Sequence, residues 1–477
     1  MLKLALTQTG SKREGHPPLA PGYIASYLRK YLNFDNIKII DKEPNITKSI
    51  LKEKPDILGV SSSTVFFNQA NQIAENVKTE LDIPVIIGGV HITALPHTLG
   101  KHFDIAVLGE GEQTTLELIQ SYKDYNEFNP KILRDIKGIA FWENNKVVIN
   151  ERRELIKPLD TIPYPARDLF KMEEEYLVPR MTFSTTKFMV STHMLTSRGC
   201  PYSCTFCASS SFWKIARFHS PEYVVGEIKH LMKEYKLKNI NIFDDLFIAD
   251  KERFKKIVEL LESEGITKRC KFRILGRANL INEETADLIK RMNVDNMAIG
   301  FESQSPKVLK YLKKGTTTTE QNQNAVRLLY KKSIDLQGLF MVGSPHETKE
   351  DMMMTLDFIR NNKFDTLEIC ITVPLPGTEL WEYAKQRKLV NDYMDWDILS
   401  MHPIDNGLGN ILLDDEVTKE EFAKLFKLFT NEIETRQLKI KLSNLFSWKL
   451  IKLAIRNRDV TLEVLKNKIK SIMRRRK

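Results

Sequence analysis

The chain has 477 residues, of which 42% are hydrophobic and 28% charged, a composition typical of a soluble globular protein with two to four domains. Five cysteines are too few for a disulfide framework in a chain of this length, so we expect a reducing, cytoplasmic setting. Neither a signal peptide nor a membrane-spanning helix is predicted, because the N-terminal apolar run is short and no later run is long enough.

The net charge of +10 comes from the C-terminus. Residues 436–477 contain 14 Lys and Arg against two acids, Asp459 and Glu463, which leaves the rest of the chain at a net charge of −2. A near-neutral body does not indicate a nucleic-acid-binding surface. The basic character therefore belongs to the tail.

Residues 1–135 alternate short apolar strands with helices, which predicts a parallel sheet covered on both faces. The predicted strands are 4–6, 37–40, 56–61, 84–88 and 104–108, and the predicted helices are 18–32, 68–80 and one from 112 onward. No G-x-G-x-x-G follows the first strand, so a nicotinamide or flavin dinucleotide is not indicated.

Small residues follow three of these strands, where ligands of parallel sheets bind. One such turn is common in any connection between a strand and a helix, whereas three in succession favour a ligand site. The residues are Gly59, Ser61, Ser62, Ser63 and Thr64, then Gly88 and Gly89, then Gly109, Glu110, Gly111 and Glu112.

Residues 136–190 have a different pattern. Two short strands at 137–141 and 146–150 predict a hairpin, and prolines interrupt the segment after it. We interpret this region as a connector between domains.

From residue 191 to residue 400 the alternation resumes with longer units. The predicted strands are 192–197, 239–243, 271–275, 296–300, 335–342 and 364–372, and the predicted helices are 221–235, 250–263, 282–292, 319–332 and 349–361. Six such units form a barrel or most of one, with its chemistry at the C-terminal ends of the strands.

Three cysteines follow the first of these strands: Cys200, Cys204 and Cys207, spaced C-x3-C-x2-C. Three thiolates on one tight loop can hold three corners of a [4Fe-4S] cluster and leave one iron open to a small molecule. A structural zinc site is the alternative, but it takes four ligands, and the nearest further candidate, His219, lies twelve residues downstream. The spacing favours the cluster.

Polar or glycine-rich segments follow four of the other strands. Each alone is as typical of a helix N-cap as of a binding site. Their joint placement around the cysteine loop favours function. The segments are Asp244-Asp245, residues 300–303, residues 343–347 and residues 373–378.

The cysteine loop, with Phe206 before its third cysteine, resembles the radical S-adenosylmethionine superfamily. Residues 16–28, 87–91 and 108–112 resemble the cobalamin (B12)-binding branch of that superfamily. The resemblance implies an α/β chain: a Rossmann-like (flavodoxin-like) cobalamin-binding domain at 1–135, the connector, a partial (βα)6 TIM-type barrel at 191–400, and a helical basic extension at 401–477.

The resemblance also implies roles for individual residues, none of them catalytic beyond the cluster loop. Cys200, Cys204 and Cys207 would ligate the [4Fe-4S] cluster, whose open iron would bind the amino and carboxylate groups of S-adenosylmethionine. The residues implied for S-adenosylmethionine are Asp244, Asp245, Glu302, Ser303, Gly343, Pro374, Pro376 and Gly377. Those implied for cobalamin are Gly59, Ser61, Ser62, Thr64, Gly88, Gly89, His91, Gly109, Glu110 and Gly111.

The chain departs from the cobalamin pattern in one place. A histidine that ligates cobalt lies in D-x-H-x-x-G, whereas this chain has His16 in Glu14-Gly15-His16-Pro17-Pro18-Leu19. We therefore expect cobalt to have no protein axial ligand.

The resemblance implies an enzyme that cleaves S-adenosylmethionine reductively to a 5′-deoxyadenosyl radical. Methyl transfer from methylcobalamin to an unactivated carbon is the leading reaction, and ring formation, rearrangement or carbon–carbon coupling is the alternative. A methylthiotransferase would need more cysteines before Cys200, and the chain has none there. A cobalamin or iron–sulfur sensor is the non-enzymatic alternative. An external electron donor such as flavodoxin or ferredoxin is expected.

The C-terminal extension has its own pattern. Residues 417–431 predict a helix, and residues 439–456 interleave apolar side chains with lysines ahead of a terminal Arg474-Arg475-Arg476-Lys477. This pattern predicts contact with an anionic membrane surface, and with it a lipid-linked substrate. A helical lid packed on the barrel is the alternative. Nucleic-acid binding is not expected.

Overall fold

A computed structural model describes residues 2–10, 15–178, 180–181, 188–402, 404 and 408–445. Its first sheet has seven strands in the order β2-β1-β3-β4-β5-β6-β7. The first five strands pair in parallel, as predicted. The strands are β1 (Leu4–Gln8), β2 (Ile37–Ile39), β3 (Ile57–Ser61), β4 (Val85–Gly88), β5 (Ile105–Val107), β6 (Ile139–Glu143) and β7 (Lys146–Ile149).

Helices cover both faces of this sheet, because successive strand residues point to opposite sides. Leu4 packs in one buried cluster with Leu28 and Leu118, while Ala5 packs in the other with Ala70. This arrangement confirms the sheet covered on two sides. The helices are α1 (Leu19–Leu32), α2 (Ile46–Glu53), α3 (Phe67–Leu81), α4 (Val90–Ala94), α5 (Gly111–Tyr125) and α6 (Pro130–Leu133).

The hairpin that we interpreted as part of the connector extends the first sheet. Strand β6 pairs antiparallel with β5, with Val107 opposite Ile139, and β7 pairs with β6. Ile139, Ala140 and Phe141 are all buried, so β6 has the apolar side chains on both faces that an interior strand needs.

The second sheet has six parallel strands in sequence order, and all six were predicted. Its outer face packs under helices, and the carboxyl ends of all strands lie at one edge. The strands are β8 (Thr192–Met194), β9 (Asn239–Ile242), β10 (Lys271–Gly276), β11 (Val294–Glu302), β12 (Asp335–Val342) and β13 (Thr366–Ile371).

The helices of this unit begin at polar caps, which explains where they start. The side chains of Ser220, Asp250, Asn282, Thr318 and Thr348 each accept a hydrogen bond from a backbone N–H of the first turn. The helices are α7 (Ala208–Trp213), α8 (Pro221–Glu234), α9 (Lys251–Ser263), α10 (Glu283–Arg291), α11 (Pro306–Lys313), α12 (Thr319–Lys331), α13 (Lys349–Asn361) and α14 (Glu379–Gln386).

The C-terminal extension begins with α15 (Lys419–Leu445), which is longer than the predicted helix. Phe422, Phe426 and Phe429 bury one face of α15 in the core of the second unit. The side chains beyond residue 436, including the predicted amphipathic segment and the terminal basic run, lie outside the described residues. Within the described part, no helix is long and apolar enough to cross a membrane.

Candidate active site

A cavity of about 550 Å³ lies at the junction of the two sheets. One wall is the carboxyl edge of the first sheet, and the other is the segment around the cysteine loop, represented by Arg198, Ala208 and Ser209, together with Phe243 at the end of β9. The predicted cobalamin residues that line it are Gly59, Ser61, Ser62, Gly88, Gly89, Gly109, Glu110 and Gly111. Three separate loops of the sequence thus meet at one place.

Gly89 illustrates why these loops need small residues. Its φ of 110° is a conformation that side chains rarely adopt, and a Cβ atom there would lie 2.3 Å from the Ser62 carbonyl oxygen. The loop can therefore pack closely only with glycine at this position. A wall of backbone and small hydroxyl groups fits a bulky ligand that approaches the strand ends.

The cysteine loop is held by backbone hydrogen bonds rather than by its thiols. Thr205 N donates to Leu312 O at 3.0 Å, and Leu380 N donates to Thr205 O at 3.2 Å, which ties the loop to α11 and α14. Gly199 has a φ of 87°, and a Cβ atom at this position would lie 2.4 Å from Ile215 O, so the close approach of the two segments needs glycine. These contacts shape the loop independently of any metal.

Cys200, Cys204 and Cys207 are all half-buried and free of disulfides. Three thiolates on one loop fit three corners of a multi-iron cluster, whereas a structural zinc site takes four ligands. Burial raises the pKa of the Cys207 thiol to about 11, and Asp245 and the other two cysteines act in the same direction.

Two glutamates of the first unit pair with two arginines of the second, and together they form a buried ion cluster: Glu110, Glu112, Arg198 and Arg217. Arg198 binds both glutamates, and Arg217 holds Glu110 at 2.9 Å and 3.0 Å. Ile156 N also donates to Glu110, at 2.7 Å. The cluster fixes the cobalamin-side loop against the residue that precedes Gly199 and Cys200.

Charge balance sets the ionisation of this cluster. Burial alone would raise the pKa of Glu112, but the Arg198 guanidinium beside it holds that pKa below its usual value. The sequence predicts that Glu110 lies at the end of a strand, but it does not predict the arginines that pair with it. The signal available was the unusual pair of acids in Gly109-Glu110-Gly111-Glu112, in a loop otherwise suited to a ligand.

The two adjacent aspartates after β9 have different environments. Asp244 is buried, and its oxygens accept hydrogen bonds from Thr196 N and Thr196 Oγ1, while burial raises its pKa. Asp245 is exposed, lines the cavity and accepts a hydrogen bond from Ser209. Of the pair, Asp245 is therefore placed to meet a ligand, and Asp244 braces the strand before the cysteine loop.

Three more predicted S-adenosylmethionine residues are tied to neighbouring side chains, and none of them lines the cavity. Glu302 pairs with Lys313 at 3.0 Å, and the Ser303 hydroxyl lies 3.1 Å from that of Thr355. Gly343 N donates to Glu347 at 2.7 Å. Their contact with a ligand stays a prediction.

A second cavity of about 310 Å³ adjoins the first, and both are lined by Ala208 and Phe212. Thr64, Pro376 and Gly377 line the second cavity. Pro374, two residues before Pro376, is buried and does not line it. The second cavity therefore joins a predicted cobalamin residue to two predicted S-adenosylmethionine residues.

Two histidines do not line the cavity: His91, which was predicted to contact cobalamin, and His16, which was not expected to bind cobalt. His91 is enclosed by the rings of Phe67 and Trp396, and burial lowers its pKa to about 3. The ring of His16 lies 5.1 Å from that of His193, and its Nε2 lies 3.2 Å from Asn241 Nδ2 on the inner face of the second sheet. Both rings pack against other side chains, and the contact of His91 with cobalamin stays a prediction.

Arg277, which directly follows β10, was not predicted. Its guanidinium lies 3.0 Å from Cys204 Sγ and 3.9 Å from the centre of the Tyr202 ring, which is itself in the cysteine loop. The available signal was an arginine at a strand end of the barrel.

Comparison with known proteins agrees with this geometry. A model of the Radical SAM superfamily matches residues 194–359, and a model of the B12 binding domain matches residues 11–119. An uncharacterized methyltransferase of Pyrococcus horikoshii is 33% identical over 83% of this chain and 85% of its own length. The anaerobic magnesium-protoporphyrin IX monomethyl ester cyclase of Cereibacter sphaeroides is 23% identical over 80% of this chain and 63% of its own length.

Among solved structures, the cobalamin-dependent S-adenosylmethionine radical enzyme OxsB, with aqua-cobalamin and S-adenosylmethionine bound, has the same fold. Its TM-score is 0.70 at 19% identity, covering 99% of this chain and 75% of that one. The cofactors of the family are a [4Fe-4S] cluster, S-adenosylmethionine and cobalamin, and the three cysteines and the glycine-lined cavity fit them. The chain therefore belongs to the radical S-adenosylmethionine superfamily, in the branch that carries a B12-binding domain.

Proposed function

We propose that this chain methylates an unactivated carbon of an organic substrate. The single observation that carries the proposal is the shared cavity, whose two walls are the glycine loops of the B12-binding domain and the segment around the cysteine loop. Methylation by this chemistry requires the two bound cofactors and the substrate to meet in one enclosed space.

The bound cofactors supply the radical that removes a hydrogen atom and the methyl group that replaces it. The protein positions them and excludes water. Cys200, Cys204 and Cys207 would hold the cluster, and the buried ion cluster fixes the distance between that loop and the cobalamin loops. The side chains of Phe212, Trp213 and Phe243 give the cavity an apolar wall that disfavours water.

Asp245, Pro376 and Gly377 are the predicted S-adenosylmethionine residues that line the two adjoining cavities. The exposed Asp245 carboxylate is free to accept a hydrogen bond from an ammonium group in addition to the one from Ser209. We assign it the methionyl amine, in preference to the buried Asp244.

A cyclase or another radical reaction is the second candidate, and similarity to the magnesium-protoporphyrin cyclase supports it. The two candidates differ in mass balance. A methyltransferase consumes one methyl group each turnover, and S-adenosylmethionine must replace it and become S-adenosylhomocysteine. A ring-forming reaction produces 5′-deoxyadenosine without a matching amount of S-adenosylhomocysteine.

The test is anaerobic reconstitution of the full chain with iron, sulfide and cobalamin, followed by reductant and S-adenosylmethionine. We expect about four irons per chain, bound cobalamin, and both 5′-deoxyadenosine and S-adenosylhomocysteine. Cys204→Ala should lose the cluster. The matched control, Cys370→Ala, replaces a half-buried cysteine on β13 and should retain it. No 5′-deoxyadenosine from a fully loaded protein would contradict the proposal.

The basic extension suggests where the substrate comes from. We propose a lipid-linked substrate reached at an anionic membrane surface, supported by the interleaved lysines and apolar residues of 439–456. Flotation with anionic liposomes should carry the intact chain upward and leave behind a chain truncated at Arg436. Equal flotation of the two would remove this idea, and the helical lid would then be favoured.

A further inference from the structure

Arg277 is a buried cation that pairs with no acidic side chain among the described residues. Only 5% of its surface is exposed. Among the residues that the structure describes, no carboxylate oxygen lies within 4.0 Å of its guanidinium. A buried charge without a counter-ion is strongly unfavourable, so a fold retains one where some other anion is supplied.

The neutral contacts of Arg277 fix its orientation. Nε donates to Thr317 Oγ1 at 3.1 Å, and one terminal nitrogen donates to Thr316 Oγ1. The face of the guanidinium lies on the Tyr202 ring, and Asn279 holds the Tyr202 hydroxyl at 2.8 Å. The remaining terminal nitrogen is thereby directed at Cys204 Sγ, 3.0 Å away.

We infer that Arg277 is a positioning residue for the cluster, which it tunes by donating a charged hydrogen bond to the Cys204 thiolate. This inference rests on the proposed function, because it takes Cys204 to be an iron ligand. The missing anion is then the cluster with its thiolates, which carries negative charge whenever iron is bound.

The expected consequence is a higher reduction potential. An added electron makes the cluster more negative, so a nearby positive charge and a hydrogen bond to a ligand sulfur stabilise the reduced form more than the oxidised one. Arg277 would thus make the one-electron reduction that starts the reaction easier for an external donor.

The test is a redox titration of the reconstituted full chain, followed by electron paramagnetic resonance without S-adenosylmethionine. We expect Arg277→Met to lower the ratio of reduced to oxidised cluster at a fixed potential by about tenfold, which equals 59 mV for a one-electron couple. Arg277→Lys, which keeps the charge but not the fork of donors, should fall between Arg277→Met and the native chain.

Arg273→Met is the matched control, since it removes the same charge from β10 four residues earlier. Arg273 donates to Gln337 and lies about 13 Å from Arg277 by the rise of a strand. It should shift the ratio less than threefold. If Arg277→Met fails to hold iron, Arg277→Gln removes the charge and keeps an amide donor. A potential equal to that of the native chain in a loaded Met or Gln variant would overturn the inference.

The readout separates this inference from the proposed function. The potential is measured without substrate or methyl transfer, so a chain that holds its cluster but methylates nothing would contradict only the proposed function. A chain that methylates normally and shows no shift on Arg277→Met would contradict only the role of Arg277.

Discussion

Arg198 and Arg277 are both buried beside the cysteine loop, with 8% and 5% of their surfaces exposed, yet their charges are balanced differently. Arg198 binds two carboxylates of the B12-binding domain, so its charge is balanced within the protein. Arg277 faces hydroxyls, an aromatic ring and a cysteine sulfur. The difference separates an arginine that joins domains from one whose counter-ion is a cofactor.

Removing Arg198 gives the largest expected effect. Arg198→Met leaves the buried Glu112 without the arginine that it pairs with directly, and breaking a buried pair in this way costs about 3–5 kcal/mol in the free energy of unfolding. Urea denaturation measures the loss. The control is Arg29→Met, which breaks an exposed pair with Asp168 and should cost less than about 1 kcal/mol. Equal losses would show that the ion cluster does not hold the domains together.

Glu112→Gln should have a smaller effect, because Arg198 keeps Glu110. We expect a loss of about 2 kcal/mol at pH 7, since the hydrogen bond becomes neutral. The folded pKa of Glu112 lies below its unfolded value of about 4.5, so its contribution is present above that pH and is lost as pH falls through the folded pKa. Urea denaturation should show a smaller difference in the free energy of unfolding between the native chain and Glu112→Gln at pH 3 than at pH 7. An equal difference at the two pH values would contradict the pairing.

Much of this organisation follows from the sequence, and the limits are physical. The six strands of the barrel carry apolar residues on their outer face, such as Ile242 and Ile274, which must be buried, so the pattern predicts the strands. The cysteine spacing is local and predicts its own ligand site. The pairing of Arg198 with Glu110 joins residues 88 positions apart, and no local pattern contains that information.

Some side chains at predicted positions also hold neighbouring segments in place. Asp244 and Glu302 lie at strand ends, as predicted, but their partners Thr196 and Lys313 come from other segments. Position along a strand follows from periodicity, whereas the partner of a carboxylate depends on how loops fold back. For the same reason, the sequence does not predict the contact between Arg277 and Cys204, which depends on how the cysteine loop folds back onto the end of β10.

Glu347 extends the comparison to a buried acid that has no ion-pair partner among the described residues. Its Oε2 accepts from Gly343 N and Ser344 N, its Oε1 has no hydrogen-bond partner in the described part of the chain, and burial raises its pKa to about 8. Because the folded pKa of this carboxyl lies above its unfolded value, the protein loses stability as pH rises from about 4.5 to about 8. Glu347→Gln, which can accept the same two hydrogen bonds, should be more stable by at least about 1–2 kcal/mol at pH 9 and unchanged at pH 4. Thermal melts at both pH values decide; a pH-independent difference would contradict the raised pKa.

Arg277→Met should have the smallest effect on the protein without iron, and this contrast with Arg198→Met is the sharpest form of the comparison. Replacing a buried charge that has no carboxylate partner by an apolar side chain of similar length is neutral or stabilising, so we expect a change within about 1 kcal/mol in either direction. With the cluster loaded, the same variant should melt at a lower temperature than the native chain, because the iron-bound thiolates have lost their cation. Urea denaturation of the iron-free protein and thermal melts of the loaded protein test the two halves. A loss as large as that of Arg198→Met in the iron-free protein would mean that Arg277 is balanced by the protein itself, and the distinction between the two arginines would not hold.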